Sequence, residues 1–301
     1  MRCDRIPVTE HEFSRSPWPD EPPGWWGYRE SPSNPLSLTQ LIASGTLDAR
    51  VAAFLWIALE HHATLIVAAP EPRAGKTTLL TALLDLIPPE ITRRYLRGWY
   101  ERFEFVEQDD PARTYLLCNE ISSHLPIYLW GRGVRRLFEL LQDGFAMATT
   151  VHAAGAGEVL ALFHGFPLEV PEPHLASIDL VLTLGMGLGP RGMVRRLMRM
   201  ETPVPADGHL DVQVLAERVT PLSPIVSKPG ALVRVLTERF GLDGKLASAE
   251  LARRERVLLR WLAQGVTGRD AVRRAVAAYR QRATLKDAPA ACNGADNEPG
   301  A

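Results

Sequence analysis

Apolar positions along this chain fall into short continuous runs separated by helical patterns. The run "ATLIVAA" (63–69) is apolar at nearly every position, as a strand buried on both faces must be. "TYLLCNE" (114–120) and "FAMATTVHA" (145–153) are two further strands of that kind. "SIDLVLTLGMG" and "GMVRRLMRMETPV" read as two more, around a Gly/Pro turn. Between them the apolar spacing is helical. "SLTQLIASGTLDARVAAFLWIALEHH" predicts two helices around a turn at Gly45, with Ser37 as a cap. "TTLLTALLDLI" predicts a helix that stops at Pro88-Pro89, and "VRRLFELLQDG" predicts another. Strands alternating with helices predict an α/β core with a mainly parallel, doubly wound sheet.

The pattern changes at both ends. Residues 1–36 form a Pro/Trp-rich irregular arm, whose Trp18, Trp25, Trp26 and Tyr28 suggest packing on something such as a neighbouring subunit. Residues 37–225 hold the core with its helical lead-in. From about 226, after "TPLSPIVSKPG", the text predicts three or four short helices, a small C-terminal helical domain over 226–283. The small, polar tail 284–301 reads as disordered.

Composition changes this picture little. Net charge is −1, which argues against nucleic acid as a partner. Cys3, Cys118 and Cys292 lie too far apart for metal spacing and fit a reducing cytosol. The N-terminus lacks the apolar core of a signal peptide. The most apolar region is broken by Glu60, His61 and His62, so it predicts a helix and a strand, not a membrane span.

The chemistry sits at the strand ends. After the first strand comes "APEPRAGKTT" (69–78), which closes as a phosphate-binding loop in Gly75-Lys76-Thr77. Successive backbone N–H groups and the helix start would cradle a phosphate. Pro70, Arg73, Ala74, Gly75, Lys76, Thr77 and Thr78 are the candidate nucleotide contacts, with Lys76 on the β- and γ-phosphates and the Thr77 hydroxyl on Mg²⁺. Pro70 stands where the pattern has glycine, and it removes one donor at the strand exit, far from the phosphates. Arg73 stands in mid-cradle and must either adopt a strained conformation or reroute the loop. An ATPase also needs an acid at a neighbouring strand end, and Glu120 supplies it, as catalytic acid and metal contact beside Asn119. The third element is "ATTVHA", where Thr149, Thr150 and His152 are placed to sense the γ-phosphate. These residues point to an ATPase using ATP and Mg²⁺. A nucleotide-binding regulator with little hydrolysis and a P-loop kinase remain as alternatives.

In their order, these motifs resemble the secretion-system and type IV pilus traffic ATPases, specifically the type II/IV secretion branch. The likeness covers roughly residues 36–200, and Gly144 and His152 match that family's histidine-box run. The resemblance implies a RecA-like P-loop NTPase core working as a homo-oligomer, a hexameric ring with nucleotide between subunits. It implies a motor for a pilus or secretion machine, an inner-membrane platform protein as partner, and a cytoplasmic location at the inner face of the membrane. On it, Glu120 is the catalytic acid and His152 the histidine-box residue. The acidic box falls nearest to Glu101 and Glu104. Arginines to neutralise transition-state charge come from Arg94, Arg97, Arg102 and Arg113, with Arg113 as the catalytic candidate. Arg132, Arg135 and Arg136 form a candidate interface patch.

Overall fold

The computed structural model describes residues 35–287. The aromatic cluster of the arm, Cys3, Cys292 and the tail beyond 287 lie outside the described residues. The helices are α1 (Leu38–Ala43), α2 (Ala49–Glu60), α3 (Lys76–Leu84), α4 (Arg132–Gln142), α5 (Ala156–His164), α6 (Glu172–Leu175), α7 (Pro229–Glu238), α8 (Gly244–Ala263) and α9 (Arg269–Asp287). The strands are β1 (Leu65–Ala68), β2 (Thr92–Tyr95), β3 (Thr114–Leu117), β4 (Ala146–Val151), β5 (Leu180–Gly189), β6 (Gly192–Ala206), β7 (His209–Glu217) and β8 (Val226–Ser227).

All of these strands join one sheet in the order β2-β3-β4-β1-β5-β6-β7-β8. The pairings from β2 to β5 are parallel. Those from β5 to β8 are antiparallel. Because side chains alternate along a strand, β1 feeds both faces. Leu65 and Val67 enter one buried cluster with residues of α1–α3 and α7–α9. Ile66 and Ala68 enter another with residues of α4, α5 and α6. The sheet is therefore covered by helices on both sides, the doubly wound arrangement expected.

The lead-in forms as its sequence dictates. The Ser37 hydroxyl accepts from the Gln40 amide while the Gln40 side chain accepts from the Ser37 amide, a closed capping box. Every residue of α2 from Val51 to Leu59 is buried. A helix apolar on all sides needs cover on all sides, and the C-terminal helices supply part of it. The Trp56 ring lies 5.5 Å from that of Trp261 and 4.8 Å from that of Tyr279.

Three readings of the sequence are corrected. Helix α3 ends at Leu84, capped by Asp85, and not at Pro88-Pro89; single-turn bonds from Leu86 and Ile87 amides carry the chain on. The basic and aromatic segment before Arg113, to which the sequence reading assigned no element, contains β2. Among the described residues this edge strand pairs only with β3, and it is at most half-buried, so it shows no apolar run. Strand β7, absent from the sequence reading, alternates and is also only partly buried.

Candidate phosphate-binding site

Parallel strands carry their ligand sites beyond their carboxyl ends. There β1 leads into residues 69–75, β3 into Asn119 and Glu120, and β4 into His152. The sheet order puts β4 between β1 and β3. With strands ~4.8 Å apart, β3 lies about 10 Å from β1, a span that a lysine reaching from one end and an acid from the other can close.

They do close it. Lys76 is buried, and its Nζ lies 3.0 Å from His152 Nε2 and 3.9 Å from Glu120 Oε2. His152 Nε2 lies 3.7 Å from Glu120 Oε1. Cation, acid and imidazole thus form one cluster over three strand ends. The backbone around Glu120 is fixed on two sides. The Leu129 amide donates to the Glu120 carbonyl (3.0 Å), and the Ile121 amide donates to that of Thr150 (3.0 Å). Thr149 and Thr150 are fully buried, and the Thr150 hydroxyl donates to the Asn119 carbonyl at 3.0 Å. Of the three groups expected to sense phosphate, His152 is in contact with both Lys76 and Glu120.

The loop itself is shaped by two left-handed residues. Gly75 has φ +97 and precedes α3 with no side-chain cap, so the helix start is open to an anion. Arg73 has φ +64, which answers the question its sequence position raised: the residue takes the strained conformation. Ala74 between them is buried, while Pro70, Arg73 and Thr77 are exposed and Thr78 is half-buried. An open helix start behind Lys76 fits a phosphate chain. The exposed Thr77 hydroxyl and the Glu120 carboxylate are hard oxygen donors of the kind Mg²⁺ shares with phosphates and water. Among the described residues, no group of three or more His, Cys, Asp or Glu forms a protein-only metal site.

The remaining candidates lie elsewhere. Arg113 stands at the amino end of β3, the end opposite Glu120, so within one chain it is not brought to the cluster. Arg94 is paired with Asp109, and Arg102 with Glu104 at 3.7 Å. Glu101 accepts from the Arg97 amide (2.8 Å) and the Phe103 amide (2.7 Å), closing its own loop. Arg135 pairs with Glu169 (3.3 Å) and Arg136 with Glu139 (3.0 Å).

Two groups beside the cluster were missed. Ser122 Oγ lies 2.8 Å from His124 Nδ1, and the His124 ring meets that of His152 edge-on at 6.4 Å. The run "SSH" directly after the Glu120 strand end was the signal available. The other is Arg195 of β6, whose Nε donates to the Arg73 carbonyl at 2.8 Å. Cys118, under the site, is buried, and burial pushes its thiol up to about 12. At pH 7 almost none of it is thiolate, the reactive form. In a Cys3→Ser/Cys292→Ser variant, native protein should therefore resist a thiol reagent and react fully once unfolded, which mass spectrometry reads directly.

These features make an α/β fold of the RecA-like type: a sheet parallel from β2 to β5, with the candidate phosphate loop after β1 and the candidate acid one strand removed, after β3. No family model matches the chain. It is 28% identical over 185 residues to the uncharacterized protein MJ0900 of Methanocaldococcus jannaschii, covering 56% of this chain and 33% of that one. It is 24% identical over 250 residues to the uncharacterized protein MJ1287 of the same organism, covering 73% and 89%. Two solved structures are similar. One is the VirB11 ATPase from the Brucella suis type IV secretion system in complex with sulphate, at 18% identity and TM-score 0.37 over 54% of each chain. The other is the Legionella pneumophila ATPase DotB, at 13% identity and TM-score 0.36 over 74% of this chain and 58% of that one. The chain thus spans a third of the length of MJ0900 and just over half of each ATPase.

Proposed function

We propose that this chain binds ATP with Mg²⁺ at residues 69–78 and hydrolyses it, as the motor of a type II/IV secretion or type IV pilus-like machine. The observation that supports this best is the convergence of Lys76, Glu120 and His152 at three strand ends, with 3.0 Å and 3.9 Å separating the lysine from its two partners. Lys76 holds the β- and γ-phosphates, Glu120 takes the proton of the attacking water, and His152 reports the γ-phosphate to both. Thr77 and Glu120 would hold Mg²⁺, which when bound would supply neutralisation of phosphate charge. Arg113 would act only on a neighbouring copy, because it stands at the opposite end of β3 from Glu120. We further propose a homo-oligomeric ring, hexameric on the family resemblance, acting on the cytoplasmic side of the inner membrane through a platform protein. Among the described residues, no helix is long and apolar enough to cross a membrane.

One observation favours a second reading, nucleotide binding without turnover: the left-handed Arg73 in mid-cradle. Steady-state Mg²⁺-dependent ATP hydrolysis, with mass in solution measured with and without an ATP analogue, separates the two. The motor reading expects turnover by the assembled wild type. It also expects Lys76→Ala to lose both nucleotide affinity and turnover. Tight binding by an assembled ring with no turnover would replace the motor with a regulator.

A further inference from the structure

Arg195 belongs to the antiparallel half of the sheet, in register with Met186 of β5, yet it reaches the phosphate loop. Its Nε donates to the Arg73 carbonyl at 2.8 Å, and its Cδ stands 3.2 Å from where a Cβ on Gly75 would be. The residue is anchored from the other side. The Thr46 hydroxyl donates to the Arg195 carbonyl (3.2 Å), and the Leu197 amide donates to that of Thr46 (2.8 Å). An exposed arginine whose backbone is anchored by the α1–α2 turn therefore reaches the carbonyl of the one non-glycine residue in the cradle at positive φ. An L residue held there needs its surroundings to enforce the conformation, and the charge-assisted hydrogen bond from Arg195 is a contact able to contribute to that. Among the described residues, the Arg195 Nη1 and Nη2 groups have no hydrogen-bond or ion-pair partner.

We propose that Arg195 is a positioning residue of the phosphate loop: it holds the Arg73 kink through the carbonyl and offers its terminal nitrogens to phosphate oxygens as a second cation in the same chain. The phosphate half of this inference rests on the nucleotide reading above; the loop-holding half does not. In a phosphate loop with glycine in mid-cradle the kink is free of strain, so the arginine on β6 matters because Arg73 is not glycine.

Two measurements test it. Hydrogen exchange of residues 69–78 without nucleotide reads loop-holding alone. Arg195→Ala should speed exchange there and nowhere in the core, and Arg195→Lys, which lacks the Nε donor, should do the same. Equilibrium titration with a fluorescent ATP analogue and Mg²⁺ reads the phosphate contact. Arg195→Ala should weaken binding by about tenfold to a hundredfold, the range for lost hydrogen bonds to charged groups, while Arg195→Lys recovers part of it. In an Arg73→Gly background the effect of Arg195→Ala on exchange should shrink. Unchanged exchange, or full additivity of the two substitutions, overturns loop-holding. Unchanged affinity overturns the phosphate contact. Faster exchange in a protein whose wild type binds no nucleotide supports loop-holding and refutes the nucleotide reading instead.

Discussion

Glu120→Gln is expected to keep ATP affinity and lose turnover, by about 10²–10⁴-fold, the contribution of a positioned general base. The substitution preserves shape and removes only the charge. The backbone of Glu120 is fixed by the Leu129 amide and by the neighbouring Ile121–Thr150 bond, so the amide side chain stays where the carboxylate was. Affinity rests on Lys76 and the helix start. Lys76 loses a counter-charge 3.9 Å away and so has more of its charge for phosphate, which sets the sign: binding equal to wild type or tighter. A fluorescent-analogue titration and a single-turnover assay on the same preparation check both halves. Binding lost in step with turnover would mean that Glu120 serves mainly to hold the metal or the loop, and that proton transfer is not its main part.

How much of this was legible in the sequence follows from what each strand packs against. β1, β3 and β4 are buried on both faces, so their apolar runs are continuous, and the residues at their ends could be singled out: Lys76, Glu120 and His152 meet. β2 and β7 are half-covered, so hydrophobic periodicity gave no continuous run to find. Arg195 was invisible for another reason. It is one of several arginines in "RGMVRRLMRM", and only the hairpin's placement over the loop distinguishes it. Long-range packing also hid the role of the C-terminal helices. The sequence shows helices after 226, but not that Leu236, Leu251, Leu258 and Val276 complete the same buried cluster as α2 and β1. A composition shift marks where the pattern changes, whereas shared burial is decided by contacts between distant segments.

Asp85→Ala is the substitution expected to cost most stability. Asp85 ends α3, the helix that begins at Lys76, and it meets Arg269 at the start of α9 in a two-pronged contact of 2.6 Å and 3.0 Å. Both side chains are buried, and Arg269 also donates to the Thr81 carbonyl at 3.4 Å. Burial opposes the charge on Asp85, while the Arg269 hydrogen bonds, with Arg269, Arg273 and Arg93 nearby, favour it. Taking away the acid leaves the Arg269 guanidinium buried without its partner, a change that costs about 3–5 kcal/mol when a buried pair is broken from one side. Asp85→Leu with Arg269→Met removes both charges and should recover most of that loss, since apolar replacements of both partners are often neutral or better. Urea unfolding of the wild type and these two variants measures it. If the double variant is as unstable as the single one, the pair's value lies in the shape of the contact and not in its charges. The same experiments carry a functional readout. Since α3 presents Lys76 at one end and is tied to α9 at the other, the single variant should also bind the ATP analogue more weakly at temperatures where it is still folded. Unaltered affinity would show that the loop and Lys76 are held from the sheet side, by Arg195 and the β1 exit, and do not depend on the α9 anchor.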